Sequence, residues 1–163
     1  MFCYLDKTQK EQWLPRMFDL LYENMKTVAP SDLTYEMEKE NWFSAVSPAL
    51  EKAPRQIILC IINGELVGFM QYYTRESLLM VEELQLKKDY QRTPLFYGLC
   101  RFLAANLPAG LQNLEAYADQ RNVRSICLME KLGMQGCEQE TDTPFVHFFG
   151  QLHKLKCRLP QRP

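Results

Sequence analysis

The sequence has no Cys-x-x-Cys pair, only two histidines, and no apolar run near the ~18 residues a membrane span needs. Without paired cysteines, or histidines at ligand spacing, it offers no zinc or iron–sulfur framework, and no metal is expected. Met1 to Lys7 holds no basic segment leading into an apolar stretch, so no secretory leader is read there. Charge of one sign is lacking too. Nineteen basic against twenty acidic side chains leave a net charge of -1 and no field to draw in a polyanion. Nucleic acid and membrane are therefore excluded as main partners, and a cytoplasmic location is expected. Lys154, Lys156, Arg158 and Arg162 read as a solvated C-terminal end.

What is present is a chain of 163 residues, 47% hydrophobic. That suits a single domain over residues 1–163 burying roughly 70% of the surface its unfolded form exposes. Of six cysteines, Cys60 in Ile57-Ile58-Leu59-Cys60-Ile61-Ile62 and Cys100 beside Leu99 read as small buried hydrophobes of a reducing compartment. Cys127, beside Met129, reads as packing rather than as a nucleophile.

Hydrophobic periodicity orders the elements. Met1 to Leu5 reads as a first strand, and Lys10 to Lys26 as a helix stopped by Pro30. A second helical pattern starts at Ser31 as N-cap, and Ser47-Pro48 restarts a short helical turn. Gln56 to Ile62 and Leu66 to Tyr73 flank Asn63-Gly64, which predicts a hairpin with a type I′ turn. Ser77 to Lys88 is a third strand of the same meander. Thr93-Pro94 caps a helix ending near Asn106. Leu114 to Ala118 is a strand, Asn122 to Gly133 a helix, and Met134 to Glu138 and Phe145 to Leu152 two closing strands. The fold class is α/β of the α+β type, with a mixed, mostly antiparallel sheet in the order β-α-α-β-β-β-α-β-α-β-β.

Two stretches carry a resemblance. Glu83-Leu84-Gln85-Leu86-Lys87-Lys88-Asp89-Tyr90-Gln91 resembles the fourth strand and cofactor-loop lead of the Gcn5-related N-acetyltransferase (GNAT) superfamily. Asn122 to Met134 is similar to that family's N-x-x-[AS] start and "EKLGF" finish, here Asn122, Ser125 and Glu130-Lys131-Leu132-Gly133-Met134. With the element order, the resemblance spans essentially the whole chain. It implies transfer of an acetyl or related acyl group from acetyl-CoA, or another acyl-CoA, to an amine of an acceptor that the residues do not identify.

The resemblance also implies a site. Leu84, Gln85 and Leu86 are the positions whose backbone pairs with the pantetheine arm in a cleft between strands four and five. Gln91, Arg92, Thr93, Pro94, Leu95, Phe96 and Tyr97 form the diphosphate loop, where a helix N-terminus offers N–H groups and partial positive charge. Asn122 and Ser125 accompany it. This chain places Pro94 and Phe96 where the family carries glycines: proline lacks an N–H, and the phenylalanine ring is expected either to obstruct the loop or to redirect the phosphate path. The same Thr93-Pro94 equally suits a plain helix start.

Glu83 and Glu115 are the candidate general bases, since the acceptor amine must lose a proton before attack; a surface carboxylate is the alternative for each. Glu82 alternates to the face opposite Glu83 unless a bulge intervenes. Counting seven residues from Asn122, where many relatives have a tyrosine acid, reaches Met129. A thiol of pKa about 8.5 can leave unprotonated without that acid at a cost of about 2 kcal/mol, and Tyr117 is the available substitute. His147 and His153 are left outside the site. The alternative function is an inactive GNAT fold kept as a ligand-sensing or protein-interaction module. A homodimer through the aromatic C-terminal strands fits either reading.

Overall fold

The computed structural model describes residues 1–52, 55–137 and 143–159. Along the chain lie β1 (Phe2–Tyr4), α1 (Lys10–Met25), α2 (Tyr35–Glu51), β2 (Gln56–Ile62), β3 (Glu65–Arg75) and β4 (Leu78–Leu86). They are followed by α3 (Leu95–Asn106), β5 (Asn113–Asp119), α4 (Val123–Lys131), β6 (Gln135–Cys137), β7 (Phe145–Gln151) and α5 (Leu152–Arg158). The strands form one sheet in the order β1-β2-β3-β4-β5-β7-β6, antiparallel except for the parallel β4–β5 pair. No described helix is long and apolar enough to cross a membrane.

Helices cover both faces of this sheet, which explains why Gln56 to Ile62 reads as an unbroken apolar run rather than an alternation. Ile57 and Leu59 pack with Trp13, Leu14, Met17, Val46 and Leu50 of α1 and α2. Ile58 faces the other layer, with Leu99 and Leu103 of α3 and Phe148 of β7. The hairpin turn has Asn63 at φ 52 and Gly64 at φ 80, the two positive values of a type I′ turn. Cys60 and Cys100 are buried, and burial pushes the Cys100 thiol up to about 12.

Several boundaries differ from the sequence expectation. Helix α2 is capped by Thr34, whose Oγ1 accepts from Met37 N at 3.3 Å, whereas Ser31 closes a local turn by accepting from Leu33 N. Pro48 lies inside α2 rather than restarting it; Val46 and Leu50 on either side are both buried and carry the helix through the missing N–H. Strand β4 ends at Leu86, because Lys88–Tyr90 turn into one 3-10 turn. Glu138, the expected end of β6, lies outside the described residues. Cys127 is exposed, not packed.

The largest difference is the C-terminus. As far as Leu159 it is not a solvated end: Leu152, Leu155 and Leu159 are buried and join the core, while Arg162 lies outside the described residues. Arg158 Nη1 donates to Lys131 O at 2.9 Å and so satisfies a carbonyl at the C-terminal end of α4. Gly133 ends that helix at φ +83, and a Cβ there would lie 2.7 Å from the Arg158 guanidinium carbon. The basic side chains outside the leucine stripe disguised it as a tail.

Candidate active site

Strands β4 and β5 run side by side only from Leu78↔Asn113 to Val81↔Ala116. Both continue beyond that point, β4 paired to β3 as far as Leu86↔Gly68 and β5 paired to β7 as far as Asp119↔Phe145. The two ribbons therefore part after Val81 and Ala116 and leave a wedge-shaped slot. The cause is local. Register between β3 and β4 steps from Tyr72↔Val81 to Gln71↔Glu83, which leaves Glu82 as the extra residue of a bulge, and a bulge bends its strand.

The edge of β4 facing the slot keeps backbone groups for another partner. Lys87 N donates to Val67 O at 2.8 Å, so by the two-residue alternation of an antiparallel ladder Glu83 and Gln85 bond to β3. Leu84 and Leu86 then direct their N–H and C=O toward the slot. The Leu86 carbonyl accepts from Asn24 Nδ2 and Gln91 Nε2, each at 2.9 Å. Side chains of Leu84 and Leu86 pack with the α3 layer, so only their backbone serves the slot.

The bulge brings Glu82 and Glu83 to the α1/α2 face together. Glu82 accepts from Gln71 Nε2 at 2.9 Å and forms a bidentate ion pair with Arg55, whose guanidinium carbon lies 5.1 Å from the centroid of the Tyr73 ring. Glu83 accepts from Gln85 Nε2 at 2.7 Å and meets no cation among the described residues. Burial holds its carboxyl above the usual carboxylate range against the opposing bonds from Gln85 and the Leu84 backbone, and the Glu82 charge adds to the rise. Two adjacent glutamates thus have opposite surroundings.

Across the slot, Glu115 lies in register with Met80 and faces the same side. Its Oε2 is 3.2 Å from His147 Nε2, and Tyr117 stacks on the His147 ring at 4.7 Å and 19°. Tyr117 is 51% exposed, which leaves its ring open to a ligand. A separate open cleft of about 700 Å3 lies between α1, the β2–β3 hairpin and the segment after β4, lined by Asp19, Glu23, Asn24, Glu65, Lys87 and Lys88 among others.

At the wide end of the slot, Thr93 Oγ1 accepts from Leu95 N at 3.3 Å, and Gly98 N donates to Pro94 O at 3.0 Å. The amides of Phe96 and Tyr97 are left at the helix start without an intrahelical acceptor. The Phe96 ring is buried in the core with α3, so it does not cover the loop as its size suggested. Arg92 is exposed. Beside this loop, Asn122 caps α4 by accepting from Ser125 N at 3.2 Å, and Arg124 in the first turn of α4 donates to Gln91 Oε1.

No family model matches this sequence, and no curated protein is significantly similar to it. Solved structures are similar in fold. A Desulfovibrio desulfuricans protein of the GNAT family, assigned as an acetyltransferase, superposes with a TM-score of 0.73 at 12% identity, over 93% of this chain and 98% of that one. The chain has the GNAT fold. An acetyltransferase from Thermus thermophilus gives 0.70 at 17% identity over 93% and 96% of the two chains. The PaiA N-acetyltransferase of Thermoplasma acidophilum, solved in complex with coenzyme A, gives 0.69 at 13% over 93% and 98%.

On this GNAT fold the residues singled out in the sequence divide into three groups. Glu83, Leu84, Gln85 and Leu86 line one wall of the slot, with Glu115 on the other strand. Gln91 to Tyr97 form its wide end, next to Asn122 and Ser125, which make a helix cap between themselves. Three participants were not anticipated: His147, now seen against Glu115, and Asn24 and Arg124, both bonded to Gln91. His147 lies on the same face of β7 as Phe145 and Phe149 and, standing opposite Tyr117, shares that face with Glu115 and Tyr117, a signal available only once β5 and β7 are paired. Among the described residues no three His, Cys, Asp or Glu side chains gather to hold a metal.

Proposed function

We propose that the protein is an acyl-CoA-dependent N-acyltransferase that moves an acetyl or related acyl group directly to an amine. The observation that carries this reading is the parting of β4 from β5 beyond Val81 and Ala116, with the backbone of Leu84 and Leu86 turned into the gap. Coenzyme A bound to PaiA N-acetyltransferase supports acetyl-CoA as co-substrate. The residues present fit such a molecule. The Leu84 and Leu86 backbone would hold its amide-bearing arm, and the Phe96 and Tyr97 amides with Arg92 would meet its diphosphate.

Bound there, the thioester supplies an activated acyl carbon. Glu83 takes the proton that the acceptor amine must shed as its nitrogen bonds to that carbon. A carboxylate whose proton affinity is raised by burial suits this better than the cation-paired Glu82. Tyr117, or solvent, supplies the proton that the departing sulfur takes. The work fits a reducing cytoplasm, where Cys60 and Cys100 stay unpaired.

One observation favours a second reading, a GNAT fold kept as a ligand-sensing or interaction module: the Leu86 carbonyl already has two donors. Calorimetric titration with acetyl-CoA and a free-thiol assay over an amine panel separate the two. Binding with thiol release abolished in Glu83→Gln supports the enzyme. Binding without release from any amine, or no binding of acetyl-CoA or any other acyl-CoA, overturns the enzyme and supports the module.

A further inference from the structure

A line of hydrogen bonds runs from the wide end of the slot to Glu83 across four separate segments of the chain. Arg124 on α4 donates to Gln91 Oε1. Gln91 Nε2 donates to Asn24 Oδ1 on α1 at 3.4 Å. Asn24 Nδ2 donates to Gln85 Oε1 at 2.7 Å, and Gln85 Nε2 donates to Glu83 Oε1 at 2.7 Å. Every member donates in the same direction, from the guanidinium toward the carboxylate.

The orientation of these amides is dictated by their neighbours. Arg124 can only donate, so Gln91 presents its oxygen to it. The Leu86 carbonyl can only accept, and it receives both Gln91 Nε2 and Asn24 Nδ2, which fixes each amide's nitrogen. Gln85, 8% exposed, then has its oxygen turned to Asn24 and its nitrogen to Glu83. Aligned bonds of this kind polarise one another, and a cation at the donor end favours negative charge at the acceptor end.

We propose that Asn24, Gln85 and Gln91 are positioning residues that carry the Arg124 charge to Glu83, so that whatever engages Arg124 at the diphosphate end alters the base at the other. This rests on reading Glu83 as the base. An anion at the wide end competes with Gln91 for Arg124, because a diphosphate is the stronger acceptor for a guanidinium. Losing that donor makes the Glu83 carboxylate hold its proton more tightly, so the base would strengthen when the co-substrate is seated.

The other groups facing Glu83 do not substitute for this line. From β4, Glu82 adds like charge; from β3, Gln71 is neutral and bonded to Glu82; from the start of β2, Arg55 is bound to Glu82; from α1 only Asn24 reaches the network.

The test needs no turnover. Carbon-13 titration of the side-chain carboxyls in the free protein, with the Glu83 signal assigned by its loss in Glu83→Gln, reads the base directly. Arg124→Met, at an exposed position in the first turn of α4, and the isosteric Asn24→Asp are compared with the wild type. Asn24→Leu repeats the second break without adding charge. A Glu83 midpoint higher in Arg124→Met and in Asn24→Leu, each folded by circular dichroism, supports the line. A midpoint unchanged in either overturns it. Coenzyme A added to the wild type should move the same midpoint upward, and a bound complex with no movement also overturns the coupling. Failure of coenzyme A to bind refutes the proposed function instead and leaves the free-protein comparison standing.

Discussion

Arg55 grips Glu82 at the bulge of β4 and leaves Glu83, the next residue, with the Gln85 amide as its partner. Arg55→Met removes the neutralising charge and leaves Glu82 as an unpaired anion beside the candidate base. Glu83 then holds its proton to higher pH. The acid limb of activity should therefore move to higher pH, with about tenfold less activity on that limb for each unit of displacement, recovered as pH is raised. A pH–rate profile of kcat/KM checks this; an acid limb at its wild-type position refutes it. Both side chains are largely but not fully covered, so unfolding should cost roughly 1–2 kcal/mol less, between exposed and buried pairs.

Glu83→Gln separates function from stability. The group's folded pKa lies above its unfolded value, so its ionisation opposes folding: stability is highest below the unfolded value of 4.5 and declines as pH rises through the raised one. Removing the charge should therefore stabilise the protein at neutral pH by about 1 kcal/mol, while turnover drops by roughly 10²–10⁴-fold. Urea unfolding at pH 7 and the thiol assay, run on the same preparation, give the two signs.

Gly68 stands opposite Leu86 in the β3–β4 ladder, behind the wall of the slot. A Cβ there would meet Leu86 Cδ2 at 2.3 Å and Gln85 O at 2.8 Å, and the second of these is backbone that has no rotamer to escape into. Gly68→Ala should cost about 1–3 kcal/mol and weaken acetyl-CoA binding by moving Leu84 to Leu86. A Kd unchanged from the wild type would show that this wall is not part of the binding surface.

The sequence showed what depends on neighbours along the chain and hid what depends on pairing. Asn63-Gly64 fixed the hairpin because the turn's positive φ values are a local demand, and Thr93-Pro94 marked the start of α3 for the same reason. Glu83 was identifiable as a residue, but the face it shares with Glu82 is decided by the step in register opposite Gln71 and Tyr72, which no spacing along β4 reveals. Asn24 was invisible altogether. An asparagine near the end of an amphipathic helix gives no sign that it will reach a carbonyl 62 positions away. The stripe of Leu152, Leu155 and Leu159 was present in the sequence, yet four basic residues around it outweighed a helical period that lasts only two turns.

That stripe makes a direct test of the C-terminal helix. Leu155 is 6% exposed within the core that α3 and β7 share. Leu155→Ala should cost about 2–5 kcal/mol, whereas Lys156→Ala on the exposed side should change stability by less than about 0.5 kcal/mol. Chemical denaturation of the two variants distinguishes a helix seated in the core from a loose terminus, for which both substitutions would be silent.

Asp119, at the end of β5 where the slot is widest, gives the acid limit. It is 6% exposed and binds Arg121 through its guanidinium and its backbone N–H, which together hold the carboxyl below its ordinary value of 3.8. A depressed folded pKa contributes stability that is fully present above the unfolded value and is lost as pH falls through the folded one. The contribution should therefore persist through neutral pH and disappear only below about pH 3.8. Asp119→Asn keeps the shape but loses the charge, so the two proteins should differ in melting temperature at pH 6 and converge toward pH 3. The residue also precedes the turn that delivers Asn122 to cap α4, so the variant should loosen that helix start, seen as faster amide exchange at Ser125. Equal melting temperatures at pH 6 would mean that the Asp119 charge opposite the exposed Arg121 contributes nothing measurable, leaving the neutral hydrogen bonds of the turn, among them Asn122 N to Asp119 O, to hold it.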